Sequence, residues 1–337
     1  NVLNVGRWKL GAACMGSSKR LIEFCARYAK ERKQFKTPIA SFQAIREMLA
    51  NAAIRTYLLE SLIYAYAGAL DDVCATIDPA EQDRYKYVVK FVKGLNIEAS
   101  IAKVFGSESI FFTSDDAVQI YGGYGFIRDY PPDQFYRDNR INRIFEGTNE
   151  INRLLIPDTL IRRSMKGSID LMTPIQNVLD GLNKGFSKTN GGGPLAEWID
   201  QLECLKRLAL YFSGVVVQKY MEKLKERQLL AMLIADFVIE IYAIQSGLQR
   251  ALKIAKLKGK EESALAEQMC VVYLCEKTPQ LLARARQALF NVAEGNEKEF
   301  ESYEKALARI IQPKLAPTEA LKEKIAARVL EKEGYVY

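Results

Sequence analysis

The sequence predicts an all-α protein arranged as two helical bundles, and three observations carry that prediction. Apolar residues recur at three- and four-residue spacing along most of the chain, as in Leu10, Cys14, Leu21, Phe24, Cys25 and Tyr28. The apolar–polar alternation between turn signals that marks a half-buried strand is found nowhere. Glycine and proline gather at a few separated points and leave long periodic stretches between them.

Taken in order, the first helix is expected over residues 8–29 and is broken by Pro38. Ser41 is a suitable N-cap for a second helix running to residue 69. A third stretch, 82–121, is long enough to require a kink or break near Gly94 or Gly106, and the Gly122-Gly123 pair ends it. Pro131-Pro132 opens a short helix to about residue 142. Thr148 caps the next helix, with Glu150 in the first turn where acidic residues are favoured. Residues 184–194, KGFSKTNGGGP, have linker composition. Amphipathic helices follow over 195–224, 228–257 and 262–294, and a charged helix starts at Thr318 after Pro313 and Pro317. The expected division is a first bundle at 1–171, a linker at 172–194 and a helical extension at 195–337. No fixed-period repeat is present, which argues against a solenoid.

Composition narrows the chemistry. At 337 residues the chain exceeds usual single-domain size, and 49% hydrophobic with 26% charged residues is ordinary for a soluble globular protein. No apolar run reads as the ~20 residues of a membrane span. Asn1 to Arg7 lacks a secretory pattern, and the absence of an initial Met suggests a trimmed or processed product. The net charge of +7 is spread over both halves, so no nucleic-acid partner is expected, whereas an anionic small ligand is compatible. Six cysteines form no C-x-x-C pair and sit mostly in apolar helical runs, which points to reduced, buried thiols. Histidine is absent, which excludes Ser-His and Cys-His nucleophiles and His-ligated metals. No metal site is expected. A catalytic base must then be a carboxylate or, less commonly, Lys, Tyr or Cys.

Three segments stand out from the helical background: Glu31 to Phe35 followed by Ser41-Phe42-Gln43, Gln119 to Gly125, and Ile144 to Glu150. In the third, Glu146 lies two residues before a helix N-cap and beside a glycine that permits close ligand approach. The same Glu-Gly-Thr also serves simply to stop one helix and start another. Gly122-Gly123-Tyr124-Gly125 could cradle phosphates, but it follows a helix rather than a strand, which argues against a dinucleotide fingerprint and leaves a plain C-cap as the alternative. Arg32 alone reads as a solvated helix end.

Together, and in this order, the three segments resemble the acyl-CoA dehydrogenase family over residues 5–163. They carry E-R-x-x-F, Q-x-x-G-G-x-G and I-x-E-G-T-x-x-I-x-R. The resemblance implies a four-helix up-down bundle, with Glu146 as the base that removes the α-proton of a fatty acyl-CoA. It implies that Asn4, Arg7 and Gly147 lie by the substrate. It places Arg32 and Phe35 on the FAD of a neighbouring subunit. Gln43, Gln119, Ile120, Tyr121, Gly122, Gly123, Thr148 and Glu150 match further cofactor-contacting positions.

Some members carry their base just before the arginine of the first helix. Here that position is Gly6, so Glu146 has no competitor there. Lys36 and Asn4 depart from the usual Gly and Asp. The family's upstream helical and β-domains have no counterpart in this sequence, so the chain alone is expected to be inactive. The extension after residue 171 is similar to that of very-long-chain members. That likeness implies a homodimer, peripheral membrane contact and electron-transferring flavoprotein as the electron acceptor. The implied location is the cytoplasm in a bacterium, or the mitochondrial matrix or inner membrane. An acyl-CoA oxidase and a non-enzymatic assembly relative share these motifs.

Overall fold

The computed structural model describes residues 2–78, 80–187, 193 and 195–337. Helix α1 (Val2–Glu31) leads into a two-residue-per-strand hairpin, β1 (Lys33–Gln34) and β2 (Thr37–Pro38), which the periodicity did not foresee. Phe35 and Lys36 both take positive φ at its tip, as a tight hairpin turn requires, although neither is a usual turn residue. Helix α2 (Gln43–Thr76) then has Phe42 rather than Ser41 at its N-cap position. Ser41 ends a short 3₁₀ turn, and no side chain caps α2.

The break expected in the third stretch falls beside Gly94, at Leu95, between α3 (Arg84–Gly94) and α4 (Asn96–Tyr121). Gly106 does not bend α4. A Cβ there would lie 3.0 Å from the Cα of Gly11, so it serves the close crossing of α1 and α4. Helices α5 (Gly123–Phe126) and α6 (Pro131–Arg140) lead to α7 (Asn149–Met165). Thr148 caps α7 as the sequence indicated, its hydroxyl accepting from the Ile151 amide at 3.3 Å. Helices α1, α2, α4 and α7 form the first bundle.

Residues 172–184, the first part of the expected linker, are helical throughout as α8 (Met172–Lys184). Residues 188–192 and 194 of the expected linker lie outside the described residues. The extension contains α9 (Ala196–Tyr220), α10 (Gln228–Lys258), α11 (Lys260–Val292), α12 (Glu297–Ile310) and α13 (Thr318–Lys332). Helix α12 is one more than the periodicity resolved. Asn296 caps it through a bond from the Glu299 amide.

The extension helices pack onto the first bundle, so a continuous buried cluster runs through both. Gly247 of α10 is pressed against α2. A Cβ there would meet Leu58 at 2.5 Å, and the Tyr57 hydroxyl donates to its carbonyl at 3.0 Å. Glu60 of α2 accepts from Lys19 of α1, from Arg250 of α10 at 2.7 Å and from Tyr335 at 2.8 Å. Arg153 of α7 bridges Glu108 of α4 and Asp236 of α10. Contrary to the sequence expectation, α10 is long and apolar enough to cross a membrane by length and composition. Here Leu233, Ile234, Phe237 and Ile244 of that helix are core residues.

Candidate active site

The residues singled out in the sequence assemble into two groups, one at each end of α1. Arg7 and Arg32 are 25 positions apart along that helix and its end, or about 37 Å at 1.5 Å per residue.

The first group surrounds Glu146. This residue sits in the left-handed region (φ 57), and Gly147 follows at φ 81. Left-handed backbone costs a non-glycine residue about 1–2 kcal/mol, so the turn needs outside support. Arg7 Nε donates to the Glu146 carbonyl at 3.1 Å. Lys103 Nζ donates to the Gly147 carbonyl at 2.7 Å. Asn152 Nδ2 reaches the carbonyls of Gly147 at 2.8 Å and Thr148 at 3.0 Å, and that of Glu146 at 3.4 Å.

The supported turn places the Glu146 carboxylate directly above Gly6. A Cβ on Gly6 would lie 2.6 Å from Oε1 and 2.8 Å from Oε2. Oε2 is shielded from solvent and has no hydrogen-bond partner among the described residues. Burial lowers the proton affinity of Arg7, and the Glu146 charge acts the other way. Asn4 is buried and donates to the Val92 carbonyl at 3.1 Å, so its amide also holds α1 to α3. Glu150 is exposed, and its own backbone amide, helped by the Thr148 side chain, holds its carboxyl below the usual range. Around this group Leu3, Val5, Ile144, Phe145 and Ile151 expose apolar surface.

The second group lies where α1 ends and α4 stops. A cleft of about 550 Å³ is lined by Tyr28, Arg32, Tyr121, Gly122, Gly123 and Tyr124, among others. Tyr28 and Tyr121 stack at 3.9 Å, and the side chains of Ile120 and Tyr121 are core residues. Gly122 ends α4 at φ 60, and the space above Gly122 and Gly123 is open. The Arg32 guanidinium lies 5.3 Å from the Tyr124 ring, with no carboxylate in ion-pair contact among the described residues. Gln119 is exposed at the end of α4, and Phe35 projects from the hairpin at 88% exposure. Gln43 opens α2 and donates to Glu319 of α13 at 2.6 Å.

A basic side chain without a carboxylate partner, an open glycine pair and a stacked aromatic floor suit a diphosphate joined to a planar ring. Thr148 and Glu150 fall with the first group, so the expected cofactor positions divide between the two ends. Sequence reasoning missed Lys103 and Asn152. The signal for Lys103 was a lone lysine inside the apolar run Ser100-Ile101-Ala102-Lys103-Val104-Phe105.

Two family models, each described as the C-terminal domain of acyl-CoA dehydrogenase, match residues 1–161 and 204–302. The chain belongs to the acyl-CoA dehydrogenase family. A probable acyl-CoA dehydrogenase of Bacillus subtilis is 36% identical over 296 residues, covering 88% of this chain and 50% of the relative. The very long-chain specific acyl-CoA dehydrogenase of Rattus norvegicus is 29% identical over 301 residues, covering 80% of this chain and 42% of the relative. The chain therefore spans about half the length of such relatives. The crystal structure of an acyl-CoA dehydrogenase complexed with FAD from Bacillus anthracis superposes at TM-score 0.96 with 38% identity. It covers all of this chain and 57% of its own. An acyl-CoA oxidase of Yarrowia lipolytica shares the fold at TM-score 0.66 and 20% identity, covering all of this chain and 52% of its own.

Proposed function

We propose that this chain is the C-terminal part of an FAD-dependent acyl-CoA dehydrogenase that desaturates fatty acyl-CoA thioesters between the α and β carbons, with Glu146 as the base. The observation that carries the proposal is the seating of the Glu146 carboxylate over Gly6, with one oxygen shielded and unpartnered among the described residues. The α C–H of a thioester is only weakly acidic, so its removal needs a carboxylate that is positioned, out of bulk water and free of competing donors. Glu146 Oε2 meets those conditions, and Gly6 leaves room for it. The apolar rim of Leu3, Val5, Ile144, Phe145 and Ile151 would exclude water once covered by the rest of the protein.

FAD, when bound, supplies the hydride acceptor. Arg32 and the Gly122-Gly123 turn would hold its phosphates, with Phe35, Gln43, Gln119, Ile120 and Tyr121 beside its adenine end. The ~37 Å between Arg7 and Arg32 supports the homodimer reading. One chain's Glu146 and its own Arg32 are too far apart to meet the same dinucleotide, so Arg32 serves the flavin of the partner. The match of the extension to a very long-chain enzyme supports that subtype, with electron-transferring flavoprotein as the electron acceptor.

Glu146→Gln in the full-length protein should keep FAD bound. It should lose α-proton exchange and flavin bleaching by a saturated acyl-CoA, by at least the ~10²–10⁴-fold typical of general-base removal. Near-normal bleaching would overturn the assignment. Rapid oxygen consumption by the wild-type protein would point instead to an oxidase.

A further inference from the structure

Lys103 is a buried charged group that the proposed chemistry leaves unexplained. Its side chain is 0% exposed on α4, amid Ile101, Ala102, Val104 and Phe105. Its hydrogen-bond partners are neutral, the Gly147 carbonyl and the Asn149 side-chain oxygen, each at 2.7 Å. Asn149 is fixed in turn by Ser107 and Glu108. Burying an ammonium without a carboxylate in contact is unfavourable, and an apolar side chain would fill the same core space without that penalty. The charge is therefore retained for something other than packing.

The turn above shows what that is. The three consecutive carbonyls of Glu146, Gly147 and Thr148 are held by side chains from three helices: Arg7 of α1, Lys103 of α4 and Asn152 of α7. The strained Glu146 and the glycine after it are thus located relative to all three at once, and a charged donor holds more firmly than a neutral one.

We propose that Lys103 is a positioning residue for Glu146, pinning the Gly147 carbonyl from beneath so that the base stays seated over Gly6, and that this pin requires its positive charge. The inference rests on Glu146 being the base. Charged and titratable groups facing Lys103 are Arg7 and Cys14 from α1, Glu108 from α4 itself and Glu150 from α7. Burial, with Arg7 adding to it, outweighs the acids and brings the ammonium down to about 8. Below that pH the pin is charged. Above it the charge is lost, so turnover should decline there.

The test is the pH dependence of kcat and KM for the full-length flavoprotein, from about pH 6 to about pH 10, a window that spans the shifted and ordinary lysine ranges. Wild type, Lys103→Arg and Lys103→Met are compared, with Glu146→Gln alongside. Lys103→Met should lose about 10–100-fold in kcat with little change in KM or FAD content, and should show no decline near pH 8. Lys103→Arg should recover rate and move the decline upward, because a guanidinium stays charged.

A lysine-labelled wild-type protein should also show one side-chain resonance titrating near pH 8, absent from Lys103→Arg. That readout stands even if Lys103→Met does not fold. An unmoved decline in Lys103→Arg, or no such resonance in wild type, would overturn the proposal. An active Glu146→Gln would overturn the base assignment instead, whatever Lys103 does.

Discussion

Replacing Glu60 with Gln should weaken the whole molecule rather than one end of it. Its side chain is 6% exposed and faces Lys19 at 30% and Arg250 at 26%, with the Tyr335 hydroxyl also donating. Removing one member of a fully buried ion pair costs roughly 3–5 kcal/mol. Here solvent still reaches both cations, so about 2–3 kcal/mol is the better figure. With a urea slope of ~2–3 kcal/mol per molar, the midpoint should fall by about 1 M.

Burial alone would raise the Glu60 carboxyl, but hydrogen bonds from Lys19, Arg250 and Tyr335 override it and hold the group below its ordinary range. A depressed carboxylate stabilises the fold above its unfolded value and loses that effect as pH falls through the folded one. The gap between wild type and Glu60→Gln should therefore be full at neutral pH and close in acid. The two tryptophans report on the two regions, Trp8 from α1 and Trp198 from α9. Single-tryptophan forms of this chain, unfolded in urea and followed by fluorescence, should give coincident transitions that shift together. An unchanged midpoint, or Trp198 melting well before Trp8 in wild type, would refute the joint as described.

Gly6→Ala should keep the fold but push the Glu146 carboxylate aside, because its Cβ would stand 2.6 Å from Oε1. A displacement of that kind should cost about 10²-fold in kcat with FAD content unchanged, measured by steady-state turnover of the full-length protein. Arg32→Ala in the same protein should make activity depend on added FAD. Gel filtration followed by absorbance of the retained flavin checks this, and full retention would dissociate Arg32 from the cofactor.

Most local features were legible in the sequence and the long-range ones were not. The Thr148 cap and the Pro131 start depend on residues within one helical turn, so the pattern alone located them, and it narrowed the break in the third stretch to Gly94 or Gly106, of which the structure uses the first. The hairpin at 33–38 was missed because its turn residues are Phe35 and Lys36, which take positive φ without the usual Asn or Gly. Arg7 was assigned to substrate from the family resemblance, yet its Nε bonds the main chain of Glu146, 139 positions away. Lys103 and Asn152 carry no motif. Their role appears only when α4 and α7 are brought against the turn. The docking of α10 on α2 was equally hidden, since periodicity shows that a helix has an apolar face but not which partner covers it.

The close seat of Gly247 on Leu58 bears on how portable the first bundle is. Tyr57 and Leu58 are fully buried on α2, and what covers them comes from α10 and from Tyr337. Excised at the sequence boundary near residue 171, the bundle would turn these side chains to water and invite self-association. A relative without such an extension must therefore carry a more polar α2 face there, or keep it covered by another subunit. The residues at positions 57, 58 and 60 should then report, in any related sequence, whether that protein's first bundle was built to stand without these helices.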